Sequence, residues 1–160
     1  MRLAEIMKHE VITVGPEDTI EHARTLLSRH RIRHLPVLDG HSVIGVVSDR
    51  DLQLASLAEM EEDDERFASQ PIERVMTAPA VTLGPNDTVR EAANIMRGRK
   101  LDCIPVVEKH RIVGIVTSSD LLELLSRTPK ASHPRPHTAN DPRRPEHQHE
   151  RTPSALRMKP

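Results

Sequence analysis

Residues 7–52 and 76–121 of this 160-residue chain are two versions of one sequence, held in register without a gap by an offset of 69. Met7 aligns with Met76, and identical pairs recur along the whole stretch: Thr13/Thr82, Gly15/Gly84, Pro16/Pro85, Asp18/Asp87, Pro36/Pro105, Val37/Val106, Gly45/Gly114, Asp51/Asp120 and Leu52/Leu121. Most other apolar positions exchange only with apolar residues, as in Leu26/Ile95, Ile32/Leu101 and Leu35/Ile104. A unit of under about 60 residues buries too little apolar surface to be comfortable alone. The duplication therefore restricts the chain to folds in which two small copies pack together, most simply about an approximate two-fold axis.

Within each copy the hydrophobic period changes in a fixed order. Val11–Val14 reads as a short strand closed by the turn Gly15-Pro16. Asp18 with Glu21, and Thr88 with Glu91, have the spacing of a capping box. A helical stripe follows at Ile20, Ala23, Leu26 and Leu27, matched by Val89, Ala92, Ile95 and Met96. Two strands, Leu35–Leu38 and Val43–Ser48, flank the tight turn at Asp39-Gly40, and a second helix opens at Asp51-Leu52. The expected unit is β-α-β-β-α, and the fold class α/β (α+β). The boundaries read as 1–58 for the first repeat, 59–70 for an acidic linker and 71–127 for the second repeat. Residues 128–160 form a Pro-, His- and Arg-rich tail, expected to be disordered.

Composition narrows the function. A net charge of −1 gives no electrostatic case for nucleic acid or an anionic membrane. Phe67 is the single aromatic residue, so base-stacking platforms are out of reach. The tail carries seven Lys/Arg against three Asp/Glu from Lys130 onward, which leaves an acidic partner or nucleic acid as a weak reading of that segment. One cysteine, Cys103, excludes an internal disulfide and suits a reducing compartment. The N-terminal stretch has no signal-like apolar run and no segment reaches transmembrane length. The expected location is cytoplasmic.

The chemistry-bearing residues lie where the last strand of each copy meets its last helix, Ser48-x-x-Asp51 and Thr117-x-x-Asp120. The plain reading is a helix cap, with the hydroxyl accepting from an early N–H and the acid complementing the positive helix end. A cap does not exhaust a carboxylate. Its remaining lone pairs suit a bidentate grip on a vicinal diol, and the helix start offers N–H groups to a phosphate.

The ordered set "VITVGPEDT", "HLPVL" and "GVVSDRDL", followed by "VTLGPNDT", "CIPVV" and "GIVTSSDL", resembles a tandem pair of CBS domains, the Bateman module. The resemblance covers Leu3 to about Leu125, and within that family the chain is similar to stand-alone acetoin-utilisation-type proteins. It implies a regulatory module, not an enzyme, that senses an adenosine-containing ligand such as AMP, ADP, ATP or S-adenosylmethionine, with no catalytic cofactor. It further implies a homodimer that signals to a separate, unidentified protein. By the family pattern Asp51 and Asp120 hold ribose, assisted by Ser48 and Thr117. The backbone of His34-Leu35-Pro36 and of Cys103-Ile104-Pro105 reads the adenine edge, with Thr13 and Thr82 beside the same pockets. Val14, Ile32 and Val37, or Leu83, Leu101 and Val106, would sandwich the ring. Arg50 would meet a phosphate where the second copy has only Ser119, so the two sites are not expected to be equivalent. Arg31, Arg33, Arg99 and Lys100 are further cations near the phosphate side.

Rival readings are weaker. A dimeric adaptor whose Ser/Thr–Asp pairs serve only as caps is the main alternative. Cys103 has no His–Asp partner at a convincing spacing and reads as a packed or pocket-lining thiol. His22, His30, His34, His41 and His110 are scattered over different elements. His147-x-His149 specifies no fixed geometry, so no metal site is expected.

Overall fold

The computed structural model describes residues 1–58 and 64–127. The expected disordered tail lies outside the described residues, as does the first part of the acidic run. Helix α1 (Ile20–His30) is followed by strands β1 (His34–Asp39) and β2 (Ser42–Ser48) and helix α2 (Asp49–Ala58). A short helix α3 (Asp64–Ala68) leads into α4 (Val89–Arg99), β3 (Cys103–Glu108), β4 (Arg111–Thr117) and α5 (Ser118–Arg127). Single 3₁₀ turns, Leu3–Glu5 and Ile72–Arg74, precede the two repeats. Apart from α3, every element of the first repeat has its counterpart 69 residues on.

Helix starts follow local chemistry. Thr19 caps α1 by accepting from the His22 N–H, and Thr88 caps α4 by accepting from the Glu91 N–H, each at 3.1 Å. In the first repeat the cap is thus Thr19 and not Asp18. The Asp18 carboxylate instead accepts from the Gly15 N–H at 2.7 Å and closes the preceding turn, as Asp87 does for Gly84. Both helices end on a left-handed residue, Arg31 and Lys100.

Each sheet is an antiparallel hairpin, β1 with β2 and β3 with β4. The hairpin turns need left-handed backbone. Gly40 supplies it in the first repeat, while Lys109 and His110 adopt it in the second.

The expected first strand is absent. Val14 makes a single parallel bridge to Val37, and Leu83 one to Val106. The reason is proline. The bridge uses the Val14 N–H to the Pro36 carbonyl and the Leu38 N–H to the Val14 carbonyl. Extending that ladder one step either way requires an N–H from Pro36 or from Pro16, and neither has one. Pro105 and Pro85 impose the same stop in the second repeat.

The repeats exchange their leading segments. Leu3 is fully buried with Ala92, Met96, Ile104, Val106 and Val116 of the second repeat. Ile72 is fully buried with Ile20, Leu35, Val37 and Val47 of the first. Lys8 bridges Ile115 on β4, and Thr77 bridges Val46 on β2, each through a reciprocal pair of backbone hydrogen bonds. Glycine admits these arms. A methyl carbon at Gly45 would sit 2.8 Å from Met76 Sδ and 2.9 Å from the Thr77 carbonyl oxygen. At Gly114 it would meet Met7 Sδ at 2.5 Å and the Lys8 carbonyl oxygen at 3.1 Å. The acidic stretch also contributes to packing: Phe67 on α3 is 2% exposed within the first core, and the Arg24 guanidinium lies 5.2 Å above its ring.

Candidate functional site

The exchange of arms brings each strand-to-helix junction against residues of the other repeat. One cleft, of about 310 Å³, has Ser48, Arg50, Asp51 and Leu54 on one side. Thr77, Pro79–Val81 and Lys100–Cys103 line the other, with His34 and Val46 completing it. The second cleft, of about 230 Å³, is its counterpart. Thr117, Ser119 and Ile115 face Lys8, Glu10–Ile12 and Arg31–His34. Both clefts are therefore composite, and His34 contributes to each.

The junctions are reciprocal caps. The Asp51 N–H donates to Ser48 Oγ at 3.1 Å, and the Ser48 N–H donates to Asp51 Oδ2 at 2.9 Å. The Asp120 N–H donates to Thr117 Oγ1 at 3.3 Å, and Asp120 Oδ2 accepts from the Thr117 N–H at 2.8 Å and from its hydroxyl at 2.7 Å. The capping role is thus real in both copies, and it uses one carboxylate oxygen. Oδ1 differs. At Asp120 it pairs with Lys8 Nζ at 3.0 Å. At Asp51, Thr77 occupies the position equivalent to Lys8, and no ion pair holds the carboxylate among the described residues.

Electrostatics follow burial. Burial pushes the Asp120 carboxyl up, but the Thr117 hydroxyl, the Lys8 ammonium and the Thr117 N–H outweigh it and hold the group below the usual carboxylate range. Burial lowers His34, with Asp102 opposing and Arg33 reinforcing. Burial, then the charges of Asp120 and Asp102, push the Cys103 thiol up to about 12. A thiol held neutral at that level is no nucleophile.

Several expected site residues are not among those lining either cleft. Leu35, Pro36, Ile104 and Pro105 have fully buried side chains. Val14, Val37 and Val106 are also core residues, because the single parallel bridge draws the first segment onto β1 or β3. Thr13 and Thr82 line neither cleft; their neighbours Ile12 and Val81 do. Ile32 and Leu101 line clefts, but each opposite the junction of the other repeat and not beside its own as expected. Arg50 and Lys100 face the Asp51 cleft, Arg31 and Arg33 face the Asp120 cleft, and Arg99 lines neither. Lys8, Thr77 and Pro79–Val81 were missed. The signal that points to them is Gly45 and Gly114, small residues in strands that otherwise read as buried.

The CBS domain profile matches residues 3–58 and 72–127. The chain is 36% identical over 121 residues to an inosine-5′-monophosphate dehydrogenase of Korarchaeum cryptofilum, a match covering 75% of the chain but only 23% of that enzyme. Among solved structures, the CBS domain pair of protein MJ0100 in complex with 5′-methylthioadenosine and S-adenosyl-L-methionine superposes with a TM-score of 0.69 at 28% identity. That match covers 79% of this chain and 96% of the other. A putative acetoin utilisation protein from Vibrio cholerae gives a TM-score of 0.70, also at 28% identity, over 79% and 92% of the two chains.

Proposed function

Because the chain belongs to the CBS-domain family, as a tandem pair, we propose that it is a regulatory module binding an adenosine-containing molecule in the Asp51 cleft. The observation that carries this reading is the Asp51 carboxylate, which lines the cleft, is capped through Oδ2 and has no ion pair among the described residues. Such a carboxylate is set to accept both hydroxyls of a ribose diol.

The remaining lining suits the rest of such a molecule. Val46, Leu54, Pro79, Ala80, Val81 and Leu101 are aliphatic walls for a flat ring, which needs no aromatic partner. Arg50 and Lys100 offer cations to a phosphate, and Asp102 offers an acid to a sulfonium or amine. The MJ0100 pair, with its 5′-methylthioadenosine and S-adenosylmethionine, supports that ligand class.

Binding between two repeats that each hold the other's leading arm would bias their relative packing, and a separate protein would read that shift. The size of the response is limited by the difference in ligand affinity between the two arrangements. The homodimer belongs to the same proposal. Leu54 and Leu57 on α2, and Leu122 and Leu125 on α5, form exposed pairs at helical spacing, and a second copy would cover them.

The adaptor reading draws on the caps, which account for both Ser/Thr–Asp pairs without a ligand. Calorimetric titration with AMP, ATP and S-adenosylmethionine separates the two. Regulation predicts saturable binding of at least one, abolished by Asp51→Ala. Absence of heat from all three favours the adaptor.

A further inference from the structure

The duplication makes each cleft a control for the other, since lining residues of one have counterparts 69 positions away in the other. The informative pair is Lys8 and Thr77. Lys8 Nζ lies 3.0 Å from Asp120 Oδ1, while Oδ2 takes both the N–H and the hydroxyl of Thr117. Both oxygens of Asp120 are therefore engaged, and its side chain is only 7% exposed. Asp51 is capped by the reciprocal backbone-to-side-chain pair with Ser48, and Thr77 brings no charge to it.

The space agrees with the bonding. Asp51 is part of the lining of its 310 Å³ cleft, whereas Asp120 is not part of the lining of its 230 Å³ cleft; Lys8 is. Only the larger volume reaches the range of about 300–1,000 Å³ usual for ligand pockets. Nor can Lys8 leave with its backbone. Its N–H donates to the Ile115 carbonyl and its carbonyl accepts from the Ile115 N–H, both at 3.0 Å, and Gly114 is shaped to admit the arm. A diol approaching Asp120 must exchange a charge-assisted bond for neutral ones and turn the Lys8 side chain, itself 65% exposed, out to solvent. A diol approaching Asp51 has no such ion pair to break among the described residues. Against burial, the Thr117 and Lys8 contacts also hold the Asp120 carboxyl below the usual carboxylate range, in the direction that favours the ion pair.

We propose that Lys8 is a built-in occupant of the Asp120 cleft, so that the chain takes one adenosine-type ligand, in the Asp51 cleft, and the second repeat acts as a closed partner. This rests on the functional reading above and specifies its stoichiometry and the residue that determines it. The exchange is symmetric at this one position, because Lys8→Thr gives the second site the residue of the first and Thr77→Lys does the reverse, while paired differences such as Arg50/Ser119 are kept.

The test is calorimetric titration of the full chain with AMP, ATP and S-adenosylmethionine, in the wild type and both variants, with thermal unfolding to check that each variant folds. For whichever compound binds, the expectation is one site per chain in the wild type and two in Lys8→Thr. Thr77→Lys should weaken the wild-type site by about tenfold or more. Two equivalent sites in the wild type, one site in Lys8→Thr, or undiminished binding in Thr77→Lys each overturn the inference and leave the functional reading standing. Absence of binding by all three compounds in the wild type and Lys8→Thr alike overturns the functional reading and the inference with it.

Discussion

At the scale of single residues, two positions do more than their type announces. Gly45 lies mid-strand, where glycine ordinarily weakens a sheet, yet it is there so that the 71–77 arm can lie against β2. Gly45→Ala should destabilise the protein by about 1–3 kcal/mol through overpacking, read as a lower urea midpoint; an unchanged midpoint would show that the arm does not press on this strand. His34 makes a separate prediction. Burial keeps its folded pKa below the ordinary value of 6.5, so between the two values the unfolded chain binds more protons and stability rises with pH. His34→Gln should flatten that rise, measured as the difference in urea midpoint between about pH 5.5 and 7.5. An identical slope in the variant would contradict the assignment. The junction acids were legible as caps, because hydroxyl-x-x-Asp at a strand end is a capping pattern. Their different partners were not, since Lys8 is far from Asp120 along the chain and only the fold brings them together.

At the scale of elements, the helical stripes and the two hairpins were readable from periodicity to within a residue or two. The first strand was misread because Val11–Val14 has the right composition, while the prolines that stop its ladder lie in the partner strand and in the turn. The exchanged arms were not readable at all. A three-residue 3₁₀ turn has no period, and Leu3 and Ile72 look like ordinary apolar residues beside their own repeats. The exchange predicts a crossed pattern of loosening. Leu3→Ala should cost about 2–5 kcal/mol and lower amide protection in β3 and β4, not in β1 and β2. Ile72→Ala should do the opposite, and protection lost within the mutated residue's own repeat would refute the exchange.

At the scale of the whole molecule, the duplication yields two cores that each need a segment of the other repeat, and two clefts walled by both. The repeat was the most legible feature of the chain, and it carried the family, the pairing and the location of the junctions. The assembly it serves is less so, because exposed leucines look alike in sequence to buried ones. Leu57→Glu with Leu125→Glu should convert the proposed homodimer to a monomer in sedimentation velocity while leaving thermal stability nearly unchanged. A wild-type chain that sediments as a monomer would remove the dimer from the account.

Adenosine is the part shared by every ligand considered for the Asp51 cleft, and in the proposed function its diol is held by the Asp51 carboxylate. An amide-resolved NMR titration with adenosine and with 2′-deoxyadenosine therefore tests the central claim most directly. The account predicts saturable shifts at Ser48, Asp51 and Lys100–Cys103 with adenosine, and binding weaker by about tenfold or more for the deoxy compound. Equal affinity for the two, or shifts that bypass those residues, would contradict it.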